Sequence, residues 1–157
     1  DMTNEGIKNA LEKIGINFYR AEVGDKYISR ELVKKELNLG GENSGHIIQR
    51  EFSESGDANI ALVQTLAALE ELNLSITDVK SKIDYKPQVL ESFNVQDMEI
   101  IETGEFKKNI ESIQNNYSDT RISIRKSGTE AKVRVMVESD SKNNIYEIIN
   151  LIKELIN

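Results

Sequence analysis

The chain has 157 residues, of which 38% are hydrophobic and 30% are charged, and its formal net charge is −7 at pH 7. This composition is typical of one ordinary globular domain or two small ones. The sequence has no cysteine, which excludes disulfides, zinc–thiolate sites and thiol nucleophiles. Non-specific nucleic-acid binding needs a basic face, and a membrane span needs about 18 or more consecutive apolar residues. We therefore expect a cytoplasmic protein with no nucleic-acid partner and no membrane partner.

The first half of the chain predicts an incomplete α/β domain with a mixed sheet. Thr3 or Asn4 is placed to cap a first helix, and residues 16–23 have the pattern of a strand. A helix that leads directly into a strand is typical of a β-α-β unit, so we expect the first strand to lie upstream of residue 1. Three further helices are expected, with Ser29, Asp57 and Ser75 as their caps. On this interpretation the chain is a fragment.

The second half predicts a small α+β domain after a hinge between about Ile83 and Gln88, which contains Pro87. Its elements are expected in the order β-α-β-β-α: a strand over 89–95, a helix over 103–115, two antiparallel strands within 121–138 and a helix capped by Ser141. The helices should cover one face of the sheet. We therefore divide the chain into residues 1–86 and residues 87–157.

A short basic loop, Arg125-Lys-Ser-Gly-Thr-Glu130, separates the two alternating apolar runs of the second half. Guanidinium groups, hydroxyls and backbone N–H groups freed by glycine are the donors that a phosphate dianion needs. Residues 118–138 carry five basic and three acidic side chains in a chain that is acidic overall. The local pattern supports two interpretations about equally: a phosphate-binding site and an ordinary connection between strands.

A second glycine-rich stretch, Gly41-Glu-Asn-Ser-Gly-His46, lies in the first half. Its polar side chains suit the recognition of hydroxyl groups, and its glycines let a ligand approach the backbone. The alternative is a polar hairpin turn that leads into a strand at 46–49, which we favour from this stretch alone. His46 is the only histidine, and a single histidine is more often a structural hydrogen-bonding group than a catalyst.

The two loops together, in this order and about 80 residues apart, resemble the α-D-phosphohexomutase superfamily. Val23-Gly-Asp-Lys-Tyr27, Asn38–His46 and Arg134-Val-Met-Val-Glu138 are most similar to bacterial phosphoglucosamine mutases. The resemblance implies that residues 1–86 are part of the third of four domains. It also implies that residues 87–157 are the fourth domain, which has a TATA-binding-protein-like fold.

The resemblance implies an isomerase that interconverts glucosamine 6-phosphate and glucosamine 1-phosphate, a precursor of UDP-N-acetylglucosamine and peptidoglycan. Family enzymes use a phosphoserine, a bisphosphorylated sugar intermediate and Mg²⁺. Neither the serine loop nor the aspartate-rich metal loop is in this sequence. We therefore expect no metal ligands here, an isolated chain that is inactive, and N-terminal domains of the same protein as partners. A homodimer is a further expectation, since family mutases of this type are often dimers.

The resemblance also assigns residues. Those that match the family's sugar-binding positions are Glu42, Asn43, Ser44 and His46, with proton transfer as a candidate role for His46. Those that match the phosphate cradle are Arg125, Ser127, Gly128 and Thr129, and Lys126 is grouped with them as a phosphate-binding residue because it adds positive charge. Lys126 departs from the family pattern, which usually has proline or a small residue there. The alternatives are a phosphomannomutase or phosphoglucomutase of the same superfamily, and a sugar-phosphate binding module without catalysis.

Overall fold

The computed structural model describes residues 2–128 and 130–156. These residues form two compact units, one that ends at Asp84 and one that begins at Tyr85. None of the helices in the described ranges is long and apolar enough to cross a membrane. The first unit is α/β and the second is α+β, which confirms the predicted fold class.

The first unit contains four helices and one β-hairpin. Its elements are α1 (Glu5–Lys13), α2 (Asp25–Lys34), β1 (Leu39–Gly41), β2 (Ile47–Gln49), α3 (Ala58–Glu71) and α4 (Ile76–Ser81). The two strands pair antiparallel, with Gly40 opposite Ile48. Leu32 of α2 and Ile48 of β2 are 3% and 2% exposed, so the small core of this unit lies where the hairpin meets α2.

Three of the predicted helix caps in this unit are confirmed. The side chain of Asn4 accepts a hydrogen bond from the Gly6 N–H group, and Asp57 accepts from the first turn of α3. Ser75 and Asp78 form a reciprocal capping box at the start of α4. Each cap satisfies backbone donors that the first helical turn leaves without an internal partner.

Two local predictions in this unit are wrong. Residues 16–23 form no strand, because neither of the two sheets in the described ranges offers them a partner; Arg20 instead holds this segment through hydrogen bonds to the Thr3 carbonyl and to Glu5. The second helix begins five residues earlier than expected, at Asp25 after Gly24, so Ser29 lies inside the helix and does not cap it.

The second unit is built on a three-stranded antiparallel sheet. Its elements are β3 (Gln88–Asn94), a short 3-10 helix (Met98–Glu102), α5 (Gly104–Asn116), β4 (Arg121–Lys126), β5 (Lys132–Glu138) and α6 (Lys142–Ile156). The strand order is β3-β5-β4. This is the predicted β-α-β-β-α order, with the 3-10 helix as an addition that the sequence did not predict.

The core of the second unit lies on one face of this sheet. Val133, Val135 and Val137 of β5 are fully buried in one cluster with the apolar face of α6. That helix contributes five buried isoleucines, Ile145, Ile148, Ile149, Ile152 and Ile156. Because successive side chains of a strand point to opposite faces, Arg134 lies on the sheet face away from this core. The register therefore decides which charged side chains share the outer face.

Candidate functional site

The Glu42–His46 loop connects β1 to β2 as a tight hairpin. The Glu42 N–H group donates to the His46 carbonyl at 2.9 Å, and the Gly45 N–H group donates to the Glu42 carbonyl at 3.0 Å. Gly45 has φ +96°, a backbone conformation that residues other than glycine rarely adopt. This closure places Glu42 and His46 opposite each other, so their side chains emerge on the same face. The loop is thus the polar hairpin turn that the sequence offered as the alternative to a binding loop. It also brings together the polar groups that the resemblance assigned to sugar binding.

The side chains of this loop form one hydrogen-bonded network. Glu42 Oε1 accepts from the Gly24 N–H group at 2.6 Å. Ser44 Oγ lies 3.0 Å from Glu42 Oε2 and 3.0 Å from His46 Nδ1. The Glu42 side chain is 15% exposed, whereas that of His46 is 61% exposed. The network therefore has an anchored acidic end and an accessible imidazole end.

Asn43 and Gly40 fix the position of the hairpin within the first unit. The Asn43 side-chain amide donates to the Met2 carbonyl at 2.9 Å, which ties the loop to the residues before α1. A Cβ atom on Gly40 would lie 2.5 Å from Ile28 Cγ2 of α2. A glycine at this position therefore lets β1 approach α2 closely, which sets the loop beside the N-terminus of that helix.

The Arg125–Glu130 loop connects β4 to β5 in the second unit. Arg125 pairs with Arg134 in the antiparallel register, so both guanidinium groups lie on the outer face of the sheet. The Ser127 N–H group donates to the Lys132 carbonyl at 2.8 Å, which continues the ladder to the start of the loop. Burial and then the positive charge of Arg134 lower the pKa of Arg125 below its usual value. Two cations side by side make this face suited to an anion.

Two buried polar atoms at this loop have no hydrogen-bond partner among the described residues. They are Arg125 Nε and Ser127 Oγ, and Ser127 is only 8% exposed. A buried donor without a partner costs roughly 1–3 kcal/mol. An anionic ligand with several acceptor oxygens would satisfy both groups, which makes this the strongest structural indication of a binding site in the second unit.

Lys126 does not share that face. Its ammonium lies 2.7 Å from Glu99 Oε1 and 4.0 Å from Glu102 Oε1 of the 3-10 helix. The alternation of β4 places it on the opposite side of the strand from Arg125. The structure thus does not bring Lys126 together with Arg125 and Ser127, contrary to the expectation that its charge adds to the phosphate-binding motif.

Gly128 and Thr129 are the remaining predicted positions of the β4–β5 loop. A Cβ atom on Gly128 would meet none of the described residues within 4 Å, so packing against them does not require glycine there. The predicted ligand Thr129 lies outside the described residues. No group of three or more His, Cys, Asp or Glu side chains within 2–128 and 130–156 is arranged to hold a metal ion.

Two residues of these sites were not found from the sequence. Arg134 lies opposite Arg125 at the β4–β5 loop only through the strand register, nine positions after Arg125. Gly24 contributes a backbone N–H group to Glu42 from 18 residues away. In the sequence, Gly24 belongs to the motif Val23–Tyr27 and Arg134 begins the motif Arg134–Glu138. Only the three-dimensional structure shows which loop each of them contacts.

Comparison with protein-family models gives two matches. Residues 2–84 match the phosphoglucomutase/phosphomannomutase alpha/beta/alpha domain III, and residues 71–155 match the phosphoglucomutase/phosphomannomutase C-terminal domain. Among curated proteins, the phosphoglucosamine mutase of Dictyoglomus thermophilum is 38% identical over 99% of this chain and 34% of its own length. That of Vibrio vulnificus strain CMCP6 is 36% identical over 98% of this chain and 36% of its own length. The chain thus spans about a third of the length of the curated relatives it matches.

Solved structures show the same fold. An N-acetylglucosamine-phosphate mutase in its substrate complex matches with a TM-score of 0.81 and 23% identity, over 99% of this chain and 37% of that one. The Aspergillus fumigatus N-acetylphosphoglucosamine mutase in complex with GlcNAc-6P and magnesium matches with a TM-score of 0.80 and 16% identity, over 99% of this chain and 40% of that one. At these identities the likeness establishes the fold alone.

Proposed function

Because the chain belongs to the phosphoglucomutase/phosphomannomutase family, we propose that it is the substrate-binding part of a phosphoglucosamine mutase. The reaction is the interconversion of glucosamine 6-phosphate and glucosamine 1-phosphate. Support for this specificity comes from the relatives of 35–38% identity, which are themselves phosphoglucosamine mutases. The proposal assigns residues 1–86 to domain III and residues 87–157 to the C-terminal domain.

The β4–β5 loop holds the phosphate that is not transferred. Arg125 and Ser127 supply the donors, and Arg134 adds a second guanidinium; Gly128 and Thr129 are assigned to the same cradle by the sequence motif alone. The observation that carries this assignment is the pair of buried polar atoms, Arg125 Nε and Ser127 Oγ, without a partner among the described residues. Guanidinium and hydroxyl groups bind a phosphate strongly without distinguishing the carbon that bears it. A mutase needs this property because its two substrates carry the phosphate at opposite ends.

The β1–β2 loop recognises the sugar. Glu42, Ser44 and His46 offer their polar atoms on one face of the hairpin, and Asn43 holds the loop in place through Met2. Binding energy gathered at groups that do not react can orient the reacting end of the substrate, and orientation supplies most of the catalysis in phosphoryl transfer. The described residues thus position the sugar phosphate.

The reacting groups belong elsewhere in this proposal. Phosphohexomutases use a phosphoserine and Mg²⁺, and a structural neighbour was solved with magnesium. The described residues contain no cluster suited to that ion, so we assign it no ligands here and derive no step through it. We accordingly propose the complete reaction for a longer protein, since this chain spans about a third of the length of its curated relatives.

Turnover by the full-length natural protein tests the proposal. The measurement is kcat/KM for the interconversion of glucosamine, glucose and mannose phosphates under identical conditions. We expect the highest value with glucosamine phosphate. A higher value with mannose or glucose phosphate would instead assign a phosphomannomutase or phosphoglucomutase, and no turnover of any of the three would favour a binding module.

A further inference from the structure

The hydrogen bonds from Gly24 through Glu42 and Ser44 to His46 have a definite direction. Carboxylate oxygens only accept hydrogen bonds, so the Gly24 N–H group donates to Oε1 and the Ser44 hydroxyl donates to Oε2. A serine hydroxyl has a single hydrogen, which this contact uses. Ser44 Oγ can then only accept at its 3.0 Å contact with His46 Nδ1. That contact requires a hydrogen on Nδ1.

The opposite placement of hydrogens is unfavourable at two points. If the Ser44 hydroxyl donated to Nδ1, its lone pairs would face the Glu42 carboxylate at 3.0 Å. An unprotonated Nδ1 would also direct its own lone pair toward the same carboxylate oxygen, 3.6 Å away. Both contacts are repulsive, and both become attractive when Nδ1 carries the hydrogen.

We propose that Glu42 and Ser44 are positioning residues that fix the proton of His46 on Nδ1 and leave Nε2 as a hydrogen-bond acceptor. A histidine tautomer is set by the hydrogen bond that its other nitrogen makes. Here that bond belongs to a network anchored by the backbone of Gly24, and the Glu42 side chain is 15% exposed. The imidazole is 61% exposed, so the ring remains accessible to a ligand.

With His46 in this tautomer, the loop presents only hydrogen-bond acceptors from these three side chains. Glu42 Oε2, the second lone pair of Ser44 Oγ and His46 Nε2 all accept hydrogen bonds. The loop therefore selects a ligand that presents several hydrogen-bond donors on one side, as the hydroxyl groups of a sugar do. This ligand assignment rests on the proposed function, whereas the tautomer itself does not depend on it.

Nitrogen-15 NMR of the imidazole tests the tautomer directly. His46 is the only histidine, so both ring ¹⁵N signals belong to it, and their couplings to Hδ2 and Hε1 distinguish Nδ1 from Nε2. They are recorded on the ligand-free 157-residue chain, at a pH above the titration of the ring as followed in the same sample. We expect the Nδ1–H form to predominate, whereas a free histidine favours Nε2–H. Predominance of Nε2–H in the wild-type chain would overturn the proposal.

Three variants distinguish the effect of the hydrogen-bond network on the tautomer from the effect of negative charge in the same unit. Glu42→Ala should lower the ratio of Nδ1–H to Nε2–H about 10- to 100-fold, the size expected for the loss of a charge-assisted hydrogen bond. Ser44→Ala should produce a smaller shift in the same direction, because Glu42 keeps a longer direct contact with Nδ1. Glu51→Ala removes an exposed carboxylate of the same unit and should leave the ratio unchanged.

An unchanged ratio in both Glu42→Ala and Ser44→Ala would contradict the positioning role. An equal shift in Glu51→Ala would do the same, because it would trace the effect to charge alone. Since no substrate is present, these outcomes are independent of whether the full-length protein turns over glucosamine phosphate. The tautomer and the proposed function can therefore fail separately.

Discussion

Two arginines stand opposite each other at the end of the β4–β5 hairpin, an arrangement that a sheet does not favour by itself. Arg125 and Arg134 are a cross-strand pair, and like charges directly opposite each other destabilise a sheet. The pKa of Arg125 is lowered mainly by burial and, in addition, by the positive charge of Arg134. A phosphate dianion between the two would convert the repulsion into binding.

Arg134→Ala should therefore have opposite effects on stability and on binding. Without ligand, the thermal midpoint of the second unit should rise, because removal of the repulsion contributes about 0.2–1 kcal/mol. The additional stabilisation by saturating glucosamine 6-phosphate should become smaller than in the wild-type chain. Thermal unfolding with and without the ligand measures both, and an unchanged ligand-induced shift would remove Arg134 from the site.

The geometry of the β4–β5 hairpin explains why the sequence pointed to this loop but did not predict which side chains share its outer face. Arg125 and Ser127 are found from their motif, and both lie at the loop with buried polar atoms. Lys126 belongs to the same motif, but the alternation of the strand turns it toward Glu99. Arg134 faces Arg125 only because of a register that no local pattern specifies.

At the scale of elements, α1 packs so closely on the end of its own unit that its second residue must be glycine. A Cβ atom on Gly6 would lie 2.0 Å from the Asp84 carbonyl oxygen, a distance that requires the backbone to move. Gly104, in the first turn of α5, provides a contrast, since a Cβ atom there would meet nothing within 4 Å. Both glycines are helical, so they differ mainly in this contact.

Gly6→Ala should destabilise the first unit by about 1–3 kcal/mol, as overpacking of a close contact does. Gly104→Ala should be neutral or stabilise by up to about 1 kcal/mol, because alanine is the better helix former. The thermal midpoints of the two variants provide the comparison. Equal midpoints would show that α1 does not approach residue 84 in the way described.

Glu5 links α1 to the segment that follows it, and this link should depend on pH. Burial opposes ionisation of Glu5, but hydrogen bonds from Lys8 and Arg20 outweigh it and lower the pKa of Glu5 below its ordinary value of 4.5. A carboxyl with a lowered pKa in the folded state stabilises above its unfolded pKa, and this stabilisation is lost as the pH falls through the folded pKa.

Glu5→Gln should therefore flatten the loss of stability in acid. Its free energy of unfolding should fall by about 0.2–1 kcal/mol less than that of the wild-type chain between neutral pH and a pH below the folded pKa of Glu5. Denaturant unfolding at both pH values measures the difference. Glu12→Gln, an exposed carboxyl on the same helix, is the matched control, and an identical slope for both variants would exclude the link.

Helices whose capping residues and apolar stripe lie within their own sequence could be predicted. A strand that depends on a neighbouring strand could not. The isoleucine stripe of α6 and the capping residues of α1, α3 and α4 are local, and all were found. Residues 16–23 have the composition of a strand, but a strand exists only with a neighbour, and the described sheets provide none. Tertiary context decides β structure more than propensity does.

At the scale of the whole molecule, each unit contains one of the two loops that we propose as ligand-binding sites. The chain has a net charge of −7, so an anion can bind only where cations are concentrated. Screening over roughly 8 Å at physiological salt separates such a site from distant negative charge. The outer face of β4 and β5 meets this condition through Arg125 and Arg134, whereas the acceptor groups of the β1–β2 loop suit uncharged hydroxyls.

The affinity of the 157-residue chain for glucosamine 6-phosphate, measured by calorimetric titration in two adjacent charge-removing variants, tests the phosphate assignment most directly. Arg125→Ala and Lys126→Ala each remove one positive charge from neighbouring positions, but only Arg125 shares a face with Arg134. We predict that Arg125→Ala weakens binding about 10- to 100-fold, the equivalent of one charge-assisted hydrogen bond. Lys126→Ala should weaken it no more than about threefold, as expected for an exposed ion pair outside the site. Equal losses in the two variants, or unchanged affinity in Arg125→Ala, would contradict the assignment of this loop as the phosphate anchor.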